Sequence, residues 1–421
     1  MKRMKYLAIN LITGLLAVGF FFSAAVANEV SIGFTGPLSG PGAGYGRDNA
    51  NGLRMAIHDI NEQGGITVNG TNYKLQLRAF DDMIDPTMAV NNARRMRSRH
   101  NTVVIYNPVF NTIAPLMQIN EERGSEFLMM AYSSTPAIDK MDNKLTASIP
   151  PPFTAYVKAF SDIAWEKGWR KGGMLVTLGA YGDEWREDFR NYWTNEMGGE
   201  IVADRPANYY TDTDFSSQLS SILNANPDFM LIGGPSEPTG LVMEQARGLG
   251  FKGGFILVDQ AKMDYIANTM FGGDLSLMDN TIGICRVLDV PSPVIEDFNA
   301  RYTEMFDEHN TFEAMLNYSS LWLIASAMEK AGSVDDPHAI KAAISEVVPQ
   351  DSELVPTAFV GTRDVKLLVA ATVGYIEGGE YQRPSQYVWW AKDEEEFKEY
   401  EAMLPAGDIE NRWTPVTGYL E

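Results

Sequence analysis

From Val30 onward the chain alternates short apolar runs with longer stretches in which apolar residues recur at helical spacing. Leu53, Ala56, Ile57 and Ile60 stand at i, i+3, i+4 and i+7, so a helix over 47–61 gains one apolar face, and Gly64-Gly65 ends it. Tyr73, Leu75, Leu77 and Ala79 alternate as a strand does. Asp85-Pro86 has the form of a cap followed by proline at the first helical position, and the helix it starts ends in Arg94, Arg95, Arg97 and Arg99, where the helix dipole favours cations. Strands are expected at 103–106 and 127–131, with a helix at 112–122 between them. After Pro150-Pro151-Pro152 the scheme restarts, with strands at 173–177, 200–204, 228–232 and 255–258 separated by helices near 182–197, 215–224 and 237–249. Such alternation in both halves implies parallel sheets covered by helices on two faces. The expected fold class is α/β, built as two doubly wound parallel-sheet lobes.

The first residues bear on compartment. Lys2, Arg3 and Lys5 precede an apolar run over 7–22, and Ala25-Val26-Ala27 supplies the small residues of a cleavage site. This predicts a signal peptide at 1–27, cut before Asn28, because the run is short for a membrane anchor. No cysteine follows the cut, so no lipid anchor is expected. Removing 27 of 421 residues leaves 394 and takes the formal charge from −21 to −24. An acidic chain of this kind repels nucleic acid and anionic lipid, and its length suits two or three lobes. Cys285 is the single cysteine and can form no internal disulfide; it is expected to be buried and inert. His58, His100, His309 and His338 are scattered without zinc-ligand spacing, so neither a metal nor a cofactor is expected.

The motifs exclude more chemistry than they suggest. Gly40, Gly42, Gly44 and Gly46 precede a helix, but their spacing is G-x-G-x-G-x-G and no lysine-hydroxyl pair follows, which disfavours a nucleotide. Ser39 does not occupy the middle of a G-x-S-x-G elbow. Asp81 and Asp82, adjacent on a strand, point to opposite faces unless the strand has ended, so a strand-end turn accounts for them better than paired acid/base chemistry. Asp212-Thr213-Asp214 lacks the glycine and glutamate of a calcium loop and is expected to cap the helix at Phe215. A weak repeat remains: Tyr45-Gly46 and Tyr181-Gly182 each follow the first strand of their half and open a helix. In open parallel sheets the ligand lies beyond the carboxyl ends of the strands, so two such edges could face each other across a cleft. Tyr132-Ser133-Ser134-Thr135-Pro136 offers three hydroxyls suited to a carboxylate, and Asp259 offers an acid suited to an ammonium group.

The ordered fragments IGFTGPLSGPGAGYG, AIHDINEQGGI, DDMIDPTMAV, SSTPAI, AYGDEW, DFSSQLSSI, PDFMLIGG and EQARGLGF resemble the solute-binding proteins of ATP-binding-cassette importers, in the leucine/isoleucine/valine-binding branch with the type I periplasmic fold. The resemblance runs from Val30 to about Trp390. It implies two lobes joined by a three-segment hinge: 28–150 plus 290–362 as the first, 151–289 plus 363–421 as the second. It places Tyr45 and Tyr181 on the cleft walls, Ser133 and Thr135 at the ligand carboxylate and Asp259 at the ligand ammonium. Phe110 stands where such binders supply a serine hydroxyl, Pro235 where an aromatic residue covers the ligand, and Glu313 at a place that is often apolar. These departures leave an amino acid, an amide or an aromatic acid open as ligand. The implied function is a periplasmic, monomeric receptor without enzymatic activity that delivers a small solute to a membrane permease of an ATP-binding-cassette importer; the alternative is the ligand-sensing subunit of a signalling receptor.

Overall fold

The computed structural model describes residues 28–40, 42–417 and 419; the expected leader at 1–27 lies outside them. Two sheets form the frame. In the first, the strands run in the spatial order Gly361–Arg363, Lys366–Leu368, Thr146–Ser148, Leu128–Ala131, Val104–Asn107, Asn28–Gly36, Thr71–Asp81, Ile66–Val68. All neighbouring pairs from Lys366–Leu368 to Thr71–Asp81 are parallel, and the two outermost strands pair antiparallel. In the second sheet the order is Glu410–Trp413, Ser385–Val388, Ala371–Glu377, Thr281–Gly283, Gly254–Leu257, Phe229–Gly233, Lys171–Val176, Glu200–Asp204. Its last five strands are mutually parallel. The central strands are buried on both faces, which is why Leu-Met-Met-Ala at Leu128–Ala131 and Phe-Met-Leu-Ile-Gly at Phe229–Gly233 show no polar alternation.

Helix Ala43–Glu62 buries the stripe expected of it, Leu53, Ala56, Ile57 and Ile60, against helix Phe312–Ala331. The two backbones nearly touch: a Cβ on Gly52 would lie 2.1 Å from the Ala314 carbonyl oxygen. Buried polar pairs fix the crossing, with Asn317 donating to Asn49 at 2.7 Å and the Tyr318 hydroxyl to Asp59 at 2.8 Å. Asp85 caps helix Pro86–His100 by accepting from the Met88 amide at 2.7 Å. At that helix's far end Arg97 donates to the Thr102 carbonyl, so this arginine secures a turn. The helix expected over 182–197 is α-helical at Ala180–Asn191 and widens into a π-type turn at Tyr192–Glu196.

The chain passes between the sheets three times: after Thr146–Ser148, after Thr281–Gly283, and between Lys366–Leu368 and Ala371–Glu377. The last passage lies beyond the boundary expected at 362. Strand Gly361–Arg363 straddles that boundary and continues through a tight antiparallel turn into the first sheet. The segment after Glu377 completes the second sheet with Ser385–Val388 and Glu410–Trp413, between which Trp389 and Trp390 are fully buried. It also reaches back to the first lobe, where the Arg363 guanidinium donates to the Trp390 carbonyl and pairs with Glu396 at 2.9 Å.

Candidate functional site

The carboxyl ends of the parallel strands of both sheets border one cleft. It encloses about 610 Å³ free of protein atoms, counting its open mouth, which is the scale of a small-molecule site. From the first lobe, Tyr45, Phe110 and Ser133 line it, each just past a strand end; Tyr181 and Asp259 line it from the second.

The Tyr-Gly repeat has a steric basis. Tyr45 and Tyr181 sit in the first turns of helices Ala43–Glu62 and Ala180–Asn191. Each following glycine presses on the strand-end backbone: a Cβ on Gly46 would lie 1.6 Å from the Pro37 carbonyl oxygen, and one on Gly182 1.8 Å from that of Thr177. Only glycine lets these helices start so close to the strands, and the closeness brings the tyrosines to the rim. Asp81 and Asp82 hold the loop before Tyr45. Asp81 accepts from the Leu38 amide at 2.9 Å and the Ser39 hydroxyl, while Asp82 accepts from Thr35, Asn107 and the Ile84 amide at 3.0 to 3.1 Å. Burial pushes the Asp82 carboxyl up to about 6, the three donors opposing. Asn107 also accepts from the Val109 amide at 2.9 Å, which orients the start of helix Phe110–Ile119 and so the Phe110 ring.

In the second lobe Asp259 is buried and held. The Tyr181 hydroxyl donates to its Oδ1 at 2.5 Å and the Trp185 indole at 2.8 Å, while the Trp185 ring stacks on Phe153 with centroids 5.1 Å apart. The side chain is thus preorganised rather than solvated.

Thr135, expected at the ligand carboxylate, does not line the cleft. It is fully buried where the chain turns; its hydroxyl accepts from the Ala137 amide at 3.2 Å and donates to Glu184 on the opposite lobe. A hydroxyl whose O–H is given to a neighbouring carboxylate has no donor left for a ligand carboxylate. Pro235 precedes helix Ser236–Gly248 and lines an adjoining hollow rather than the cleft itself. Asp214, expected to cap the helix at Phe215, accepts from the Ser216 amide at 2.9 Å in the turn before helix Ser216–Leu223, whose N-cap is Phe215, so it braces the entry without capping the helix. Cys285 is buried, which raises its thiol pKa.

Sequence reasoning missed part of the wall. Tyr132, Tyr156 and Tyr210 join Tyr45 and Tyr181, making five tyrosines. Burial holds their hydroxyls above the usual range, and the carboxylates of Glu313 and Asp259 push Tyr45 and Tyr132 further the same way. Lys262 was also missed, though it lies three residues after Asp259 in the same strand-end loop. It is buried, with Nζ 2.7 Å from Glu313 Oε1 across the lobes and 2.5 Å from the Asp259 carbonyl oxygen. Glu313, singled out as unusual, lies in the first turn of helix Phe312–Ala331 and faces the cleft. Its Oε2, like the hydroxyl of Ser134, is buried without a hydrogen-bond partner. Among the described residues no group of three or more metal-ligating side chains occurs, and no helix is long and apolar enough to cross a membrane.

The family model described as periplasmic binding protein matches residues 29–376. The Leu/Ile/Val-binding protein BraC3 of Rhizobium johnstonii is 26% identical over 372 residues, covering 84% of this chain and 92% of that one. Among solved structures, the branched-chain amino acid transporter substrate binding protein LivJ from Streptococcus pneumoniae, in complex with isoleucine, superposes with a TM-score of 0.70 at 19% identity, over 85% of this chain and 99% of that one. A solute binding protein of an ABC transporter from Rhodopseudomonas palustris BisB5, in complex with 3,4-dihydroxy benzoic acid, gives a TM-score of 0.67 at 20% identity, over 84% and 95%.

Proposed function

The chain belongs to the periplasmic binding protein family, and from that premise we propose that it is an exported receptor that closes its two lobes on a small amine- or amide-bearing solute and hands it to the permease of an ATP-binding-cassette importer. The observation that carries this is convergence: Tyr45, Phe110 and Ser133 of one lobe and Tyr181 and Asp259 of the other meet around one space of small-molecule size. A ligand held by both lobes favours the closed arrangement by its differential contact with it. Asp259, fixed by Tyr181 and Trp185, is suited to anchor a ligand N–H group. The relatives' names point to branched-chain amino acids and to an aromatic acid. The Phe110 ring and the withdrawn Thr135 hydroxyl speak against taking either ligand over unchanged.

A thermal-shift screen of amino acids, amides and aromatic acids, followed by calorimetry on the best hit, tests the binding role. Asp259→Ala is expected to weaken that hit by about tenfold or more, the loss of a hydrogen bond to a charged group; unchanged affinity would sink the anchoring role. Delivery is tested in vesicles bearing the permease and its ATPase. Uptake of the hit must depend on this protein, and independence would favour the sensing role instead.

A further inference from the structure

The charges of the cleft do not balance. Two carboxylates, Asp259 and Glu313, line it, and among the described residues Lys262 is the one cation that does. Lys262 is already engaged by Glu313 Oε1 and by the Asp259 carbonyl. Glu313 is 2% exposed and its Oε2 has no partner; the two bonds to the Asp259 carboxylate both fall on Oδ1, leaving Oδ2 for a ligand. Among the side chains that line the cleft one negative charge thus has no counter-charge of its own; the next cation whose charge reaches Asp259, the buried Lys366, is bonded to Ser148 and lies 3.9 Å from Asp139. We propose that the solute this receptor takes is a small organic cation carrying no carboxylate, with Glu313 and Asp259 as its counter-charges.

The proposal rests on the receptor function argued above and narrows its ligand. A zwitterionic amino acid brings no net charge and adds a carboxylate next to Glu313; an aromatic acid adds a second unpaired anion. Only a cation closes the balance. The rest of the wall agrees. The tyrosines are held neutral by burial and present ring faces and hydroxyls, surroundings that favour an ammonium or guanidinium group. Phe110 brings no hydroxyl and Thr135 spends its O–H on Glu184, which leaves Ser133 and Ser134 as the serine hydroxyls on the wall. The Ser134 hydroxyl, also unpartnered, fits a neutral hydroxyl or amide elsewhere on the ligand. The adjoining hollow shares Tyr45, Gln260, Lys262 and Glu313 with the cleft and adds Glu237 and Asp48, the Asp48 carboxyl held well above the usual carboxylate range by burial and by Glu313.

The test is calorimetry on the full mature protein, freed of bound solute, with a matched set of probes: 2-phenylethylamine, phenylalanine and 3-phenylpropionate, then isobutylamine, valine and isobutyrate. The amine of at least one set is expected to bind about tenfold or more tighter than its amino acid, with the acid weakest. An amino acid that binds more tightly than its amine would overturn this proposal and leave the receptor function standing, whereas an acid that does so would overturn the amine-bearing reading with it. No binding by any probe would overturn the proposal and the amine-binding function together. Two variants separate charge from shape. Lys262→Met frees Glu313 for the ligand, so amine affinity should hold or rise; a fall of about tenfold would mean that Lys262 carries a ligand anion, against the proposal. Glu313→Gln should weaken the amine by about tenfold and the amino acid less. If that variant does not fold, Asp259→Asn removes the other carboxylate, leaves Glu313 balanced by Lys262, and must lose amine binding in the same way.

Discussion

Asp82 shows how much one side chain's surroundings decide. It is fully buried at the end of strand Thr71–Asp81, and burial lifts its carboxyl from 3.8 to about 6. A carboxyl whose folded pKa lies above its unfolded value holds its proton more tightly when folded. Its contribution to stability is therefore complete below about 4 and is lost as pH rises through about 6. The loss over that window is about 3 kcal/mol. Asp82→Asn cannot titrate, so the difference in unfolding free energy between wild type and variant should fall by that order between pH 4 and 7.5, measured by urea denaturation; a difference flat with pH would contradict it. That Asp81 and Asp82 organise a turn was legible, because strand geometry forbids them one shared face. Lys262 was not. A lysine in a polar loop is ordinarily solvated, and nothing in Asp259-Gln260-Ala261-Lys262 announces a carboxylate waiting on the other lobe. Thr135 failed for the opposite reason: its place near the cleft was correct in sequence, but a turn beginning at that residue claims its hydroxyl.

At the level of elements, periodicity located most helices and strands to within a few residues, since long stripes and strands buried on both faces leave plain patterns. The segment from 361 onward did not read this way. Gly361–Arg363 and Lys366–Leu368 are three residues each, too short to show alternation, and their sheet is fixed by distant partners such as Ser148, whose hydroxyl accepts from Lys366 at 2.8 Å. The Tyr-Gly helix starts carried more information than their length suggests, because the glycine is what lets the tyrosine reach the rim. Gly182→Ala should push helix Ala180–Asn191 off the Thr177 carbonyl, costing about 1–3 kcal/mol. It should also weaken ligand binding by moving Tyr181 away from Asp259. A urea midpoint and an affinity both equal to wild type would mean that the helix start yields without cost.

For the molecule as a whole, what matters is how firmly the lobes are held together before a ligand arrives. Of the ties that cross the gap, two differ in where they lie. Lys262 and Glu313 pair inside the cleft, where a ligand competes for them, and Thr135 and Glu184 pair outside it, where a ligand does not reach. The second tie can therefore be cut without removing a ligand contact. Glu184→Ala should shift the ligand-free protein toward an open arrangement, because the closed one loses a charge-assisted hydrogen bond that the open one never had. Only the closed fraction binds fully, so apparent affinity should fall in proportion to it, by about threefold to tenfold for a tie of about 1 kcal/mol on a half-buried carboxylate. Small-angle X-ray scattering should give the variant a larger radius of gyration than wild type without ligand and the same radius at saturation. A variant that bound as tightly as wild type with an unchanged ligand-free radius would show that Glu184 does not hold the lobes. Closure would then rest on the remaining ties, among them the pair inside the cleft, where every solute that binds must also reckon with Glu313.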